Sequence, residues 1–185
     1  MDCTAGTDPA TELQAIPGSP VSLGAPGTFG LRGQTCDFLV DGSHAIFANI
    51  GKLAMANFVV GIDFVATSTV ATYIGVNSRC ASGCVAIDAS TGIGVGFAHV
   101  GEHTGGAFKP LDSGVMTVKS NTLNRVVFSL SGRRAAAYFN GALIATSAVS
   151  VTQVAAPVQL YVDAFGSGLA GTISVRDLAV YEAAS

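Results

Sequence analysis

The residues able to do chemistry fall into three groups. The first is the histidines, His44, His99 and His103, two of them within His99-Val100-Gly101-Glu102-His103. Imidazole nitrogens ligate metals or move protons near neutral pH. The spacing is not His-Glu-x-x-His, however, and Gly101 to Ala107 reads as a polar, Gly-rich loop. Its histidines are expected to be solvated and need not face the same way. The second group is Cys3, Cys36, Cys80 and Cys84. Four cysteines allow three disulfide pairings, among which the sequence does not choose, although Cys80 and Cys84 could close a small ring across a loop. Cys-x3-Cys without a second nearby pair is a weak zinc signal. The third group suits sugar recognition, which needs an aromatic platform with fixed polar groups. Tyr73, Tyr138, Tyr161 and Phe165 offer rings, while Asn77, Arg79 and Asp163 offer polar atoms. From these the expected ligand-binding set is Tyr73, Asn77, Arg79, Tyr161 and Asp163. No Gly-x-Ser-x-Gly elbow and no Gly-x-x-x-x-Gly-Lys phosphate loop occurs.

The elements that would position these groups are extended. Val126, Phe128 and Leu130 alternate with Val127, Ser129 and Ser131, the period of a half-buried strand. Asn140-Gly141 between apolar runs predicts a hairpin, because a type I′ turn needs positive φ at both central residues. Val158 to Val162 and Gly171 to Tyr181 read as the last two strands. In the latter, Ile173 and Val175 are expected to share a face with Ala179 and Tyr181, with Leu178 and Val180 opposite. Upstream, Cys36 to Val40 and His44 to Ile50 read as a hairpin about Asp41-Gly42, and Gly51 to Ala56 as a helical turn. Phe58 to Ala66 is expected to pair with Val70 to Val76. Val85 to Asp88 and Ile93 to Ala98 flank a further turn, and Val115 to Val118 is a short strand. Residues 1–28, with Pro9, Pro17, Pro20 and Pro26, read as an extended arm ahead of a sandwich domain at 29–185.

Composition limits the classes. The chain has 185 residues, enough for one domain with a full core. Only 11% of residues are charged, against roughly 25% in an average soluble domain. Mean hydropathy is +0.52, yet the longest apolar run, Leu53 to Ala66, is broken by Asn57 and Asp63. It falls short of the ~20 residues that a spanning helix needs. The apolar excess therefore belongs in a sandwich core or under partners. With net charge −3 and three Lys, neither nucleic acid nor an anionic membrane is an expected partner. Met1 to Gly6 lacks the basic and apolar regions of an export signal.

Tyr138-Phe139-Asn140-Gly141 and the pattern Gly171-x-Ile173 through Tyr181 resemble the C-terminal half of concanavalin A-like (laminin G-like) domains. The resemblance implies an all-β fold, a two-sheet antiparallel jelly-roll sandwich. It also implies where carboxylates would matter. Glycosidases on this fold place two on a strand flanking a sugar cleft. The three Glu here, Glu12, Glu102 and Glu182, form no such pair, and the matching strand offers only Asp63. A non-enzyme is therefore expected. Calcium is the cofactor that such domains suggest, with Asp88, Asp112 and Asp163 at strand ends as oxygen donors, although Asp there is commonly a turn residue. Few charges, no export signal and a Pro-rich arm together suggest a structural or adhesive module of an assembly. The expectation is a phage virion protein, of capsid decoration or tail, in contact with other virion proteins and host glycans and homo-oligomeric. The alternative is a secreted lectin-like carbohydrate-binding module.

Overall fold

The computed structural model describes residues 1–7, 9, 13–15, 27–80, 83–104, 107–164 and 170–183. Two seven-stranded antiparallel sheets face each other. The first runs, in spatial order, β1 (Leu13–Ala15), β4 (Ile46–Met55), β13 (Ala156–Asp163), β6 (Tyr73–Ser78), β7 (Cys84–Ser90), β8 (Gly94–Thr104) and β9 (Ala107–Val118). The second runs β12 (Ala142–Ala148), β11 (Arg134–Phe139), β10 (Leu123–Ser131), β5 (Phe58–Val65), β14 (Gly171–Glu182), β3 (Thr35–Val40) and β2 (Thr28–Arg32). This is the jelly-roll sandwich expected from the sequence.

Alternation builds the core. Ile74 and Val76, Ile87, Leu160 and Val162 are buried from the first sheet, and Phe38, Phe64, Phe128 and Leu130 from the second. Each such side chain removed from water contributes about 1.5–3 kcal/mol. The opposite face of the first sheet is thereby left to Tyr73, Asp88, His99 and Tyr161.

The hairpin at Asn140-Gly141 forms as read, joining β11 to β12 with φ of 47° and 85° at the two turn residues. Two other predicted hairpins do not form. β3 and β4 lie in different sheets, as do β5 and β6. At Asp41 the carboxylate accepts the backbone N–H groups of Ser43 and His44, both at 2.8 Å, and Asp41 and His44 form a single isolated bridge before the chain crosses to the other sheet. A turn motif fixes a reversal locally; which sheet takes the next strand depends on distant partners. The helical turn expected at Gly51 to Ala56 is instead the end of β4, where Ala54 and Met55 pair with Pro157 and Ala156 of β13. Pairing there overrides local preference.

A bulge corrects the facing of β14. The register with β5 shifts between Val175 and Asp177, and Leu178 then pairs with Ile62. One added residue reverses the alternation. Ile173, Val175 and Leu178 are all buried, while Tyr181 is 63% exposed.

The polar loop expected at Gly101 to Ala107 is mostly strand, for β8 continues to Thr104 and β9 begins at Ala107. The short strand at Val115 to Val118 is the end of that twelve-residue β9. Glu102 is therefore a strand residue and points inward, 3% exposed. Its carboxylate accepts from the Ser150 amide, from the Ser150 hydroxyl at 2.8 Å and from the Val151 amide at 3.1 Å. Burial pushes this carboxyl up, but those hydrogen bonds outweigh it and hold the group below the usual range.

Within residues 1–28, the Met1 ammonium donates to the Leu178 carbonyl at 2.8 Å and the Cys3 amide to the Arg176 carbonyl at 2.9 Å. Cys3 is disulfide-bonded to Cys36, and Cys80 to Cys84. Leu13–Ala15 adds the outermost strand beside β4. The stretch 16–26, with three of the four prolines, lies outside the described residues.

Candidate functional site

A groove of about 520 Å³ opens on the outward face of the first sheet. It is lined by Phe47, Tyr73, Asn77, Cys84, Asp88, His99, His103, Phe108, Tyr161 and Asp163. Eight of these come from four adjacent strands, β13, β6, β7 and β8. Their common facing follows from the two-residue period of the strand.

The register sets the centre of the groove. Phe47, Tyr161, Gly75, Asp88, His99 and Ser113 are successive partners on β4, β13, β6, β7, β8 and β9, forming one row across the sheet. Gly75 is the gap in that row. A Cβ there would sit 2.6 Å from the Tyr161 ring and 2.7 Å from the Asp88 Cβ. Without one, the Tyr161 phenol crosses β6 and donates to Asp88 Oδ2 at 2.5 Å. The other carboxylate oxygen, Oδ1, lies 2.7 Å from His99 Nδ1. Gly101 works similarly further along β8, where a Cβ would collide with the Phe108 ring.

These contacts shape the electrostatics. The hydrogen bond to Asp88 holds the His99 imidazole above its ordinary 6.5, against a smaller opposing effect of burial. With Nδ1 engaged, Nε2 is the nitrogen left for a ligand or a proton. Burial, reinforced by the Asp88 charge, keeps the Tyr161 phenol well above its usual range. The Tyr73 hydroxyl is raised for the same two reasons. Burial raises the Asp163 carboxyl, with a weaker opposing contribution from the Ala164 amide. Asn77 is 8% exposed and its Oδ1 has no hydrogen-bond partner. Together these groups can stack a ring face, accept and donate hydrogen bonds, and move a proton at His99.

Of the expected ligand-binding residues, Tyr73, Asn77, Tyr161 and Asp163 line this groove. Arg79 does not. It has positive φ, 61°, is wholly buried, and donates from Nη2 to the Ala56 carbonyl at 2.6 Å. Asn77 lies within β6 and Arg79 just after it. Tyr138 belongs to β11 of the other sheet, and Phe165 lies outside the described residues. The histidine reading is corrected as well. His99 and His103 are four apart on one strand, so both face the groove, and His99 is held by Asp88. The missed signal was alternation: His99, Gly101 and His103 continue the outward positions of Val95 and Phe97.

The three aspartates weighed for calcium do not converge. Asp88 is mid-strand and bonded to His99 and Tyr161, whereas Asp112 accepts the Thr146 amide at 2.7 Å across to β12. Among the described residues, no group of three or more His, Cys, Asp or Glu is placed to hold a metal ion. Asp63 lies on the second sheet, bound through both oxygens by Arg125 at 2.5 Å.

No family model and no curated protein matches this sequence. Solved structures do match its fold. Carbohydrate-binding module CBM66 from Bacillus subtilis aligns with TM-score 0.60 and 12% identity, over 80% of this chain and 86% of that one. An alginate lyase of polysaccharide lyase family 7 aligns with TM-score 0.58 and 12% identity, over 92% and 93%. A transglycosylase in its apo form aligns with TM-score 0.60 and 12% identity, over 94% and 85%. The expectation of a non-enzyme is thereby overturned, since enzymes stand among the structures with this fold and the absent Glu pair excludes only one kind of chemistry. The likenesses fit the carbohydrate-binding alternative better than the virion reading, which they do not support. At these identities they establish the fold alone, a two-sheet antiparallel jelly-roll β-sandwich.

Proposed function

We propose that the groove on the first sheet binds a glycan chain. The observation that carries this is the Tyr161–Asp88–His99 network set among Tyr73, Phe47 and the unpartnered Asn77 Oδ1. Aromatic faces beside fixed polar atoms suit the apolar face and hydroxyl edge of a sugar. The disulfides fit an oxidising, secreted setting for such a module.

Binding is tested by calorimetric titration of the full chain with a panel of soluble oligosaccharides. At least one is expected to bind, and Tyr73→Ala or Asn77→Ala to weaken it by roughly tenfold or more. A panel that fails to bind, or binding indifferent to both substitutions, rejects the groove. A second reading, glycan cleavage, is favoured by His99, because a histidine oriented by a carboxylate is a serviceable acid or base. Mass spectrometry of the incubated oligosaccharides should then show shorter products that disappear in His99→Ala.

A further inference from the structure

The charge lining the groove narrows the glycan class, on the footing that the groove binds a glycan at all. The described lining includes two carboxylates, Asp88 and Asp163, and neither Lys nor Arg. Asp88 has both oxygens committed, to His99 and Tyr161. Asp163 has the Ala164 amide as a partner and no cation at its side among the described residues. A further acceptor of the lining, Asn77 Oδ1, is buried and has no hydrogen-bond partner, on a residue 8% exposed.

We propose that the groove takes a polysaccharide bearing free amino groups, of the glucosamine type, with the Asp163 carboxylate receiving an ammonium and Asn77 Oδ1 a hydroxyl or amine hydrogen. A sugar ammonium brings donors and positive charge to a surface that offers acceptors and negative charge. A uronate brings a further anion, which the Asp163 carboxylate, with neither Lys nor Arg in the described lining, repels. An N-acetylated sugar is neutral and leaves Asp163 without its counter-charge. Because burial already raises the Asp163 carboxyl, an ammonium beside it restores what desolvation costs the ionised form. The Tyr73 and Tyr161 rings add faces that favour cations. Asp163 pairs with Tyr73, and Asn77 lies four residues further along the same strand. That separation is roughly 13 Å, so the two acceptors meet different units of one chain.

The test is calorimetry on the full chain with three oligosaccharides of equal length: glucosamine, N-acetylglucosamine and a uronate, in a mildly acidic buffer that keeps the amine charged. The glucosamine oligomer should bind roughly tenfold more tightly than the acetylated one, and the uronate most weakly. Asp163→Asn should bring the amine and acetylated forms level. Glu182→Gln removes the same unit of charge from an exposed position away from the groove and should leave the preference intact. Equal binding of all three, a uronate preference, or an equal loss in Glu182→Gln overturns this inference while leaving glycan binding in place. Binding of none, across these and the wider panel, overturns both.

Discussion

His99 is the residue on which the groove's chemistry turns, and its coupling to Asp88 carries a sign that can be checked. Its folded pKa is raised above the ordinary 6.5. The imidazolium–carboxylate contact therefore stabilises the fold fully below that value and is lost as pH rises through the folded pKa. Stability measured by urea midpoints should fall across this window on the alkaline side. The fall attributable to this pair should vanish in His99→Gln. Asp88 has a second dependant, the buried Tyr161 hydroxyl. Asp88→Ala removes the partner of both and should cost about 1–3 kcal/mol at neutral pH. A loss no larger than that of His99→Gln would show that the phenol does not depend on Asp88.

At the scale of elements, the groove depends on where strands omit a side chain. Tyr161 on β13 and Asp88 on β7 are separated by the whole width of β6, and only the bare backbone at Gly75 lets the ring lie across it. Gly75→Ala places a methyl group within 2.6 Å of that ring. The expected result is a destabilisation of about 1–3 kcal/mol from overpacking. The Tyr161–Asp88 hydrogen bond should be lost with it, seen as a drop in the phenol pKa by ultraviolet titration. An unchanged tyrosine titration would mean that the ring reaches Asp88 by another path. β8 shows the same economy at Gly101 beside Phe108, while its inward Glu102 ties the 150–151 backbone to the sheet. One strand thus presents a groove on one side and a structural anchor on the other.

Over the whole molecule, the amino terminus is joined to the sandwich by Cys3–Cys36, which closes a loop of sequence separation 33 onto β3. Constraining a loop of that length in the unfolded chain contributes about 3–4 kcal/mol in the chain-entropy account. Cys36→Ser should lower stability by about that amount, measured as a shift in urea midpoint relative to the oxidised protein. Glycan binding should survive at temperatures where the variant is folded, because Cys36 lies on the second sheet and the groove on the first. Cys80–Cys84 differs in this respect, since Cys84 lines the groove itself.

Local chemistry in the sequence determined most of the strands and the Asn140-Gly141 turn, because alternation and turn propensity are properties of neighbouring residues, while the two-layer class followed from the family resemblance of Tyr138 to Gly141 and Gly171 to Tyr181. It also singled out Tyr73, Asn77, Tyr161 and Asp163, whose types suit a sugar. The partnering of β3 with β14 rather than β4, the bulge that turns Leu178 inward, and the convergence of Asp88, His99 and Tyr161 were settled only in the folded sheet. Asp88 and Tyr161 are 73 positions apart, and no local pattern encodes a hydrogen bond over that separation. Arg79 shows the same limit from the other direction. Its type suggested a ligand contact, but Arg79 is wholly buried just after β6, bonded to the Ala56 carbonyl, and does not line the groove. A side chain's chemistry is written in its own residue; the direction in which it points depends on the register of strands that meet only on folding.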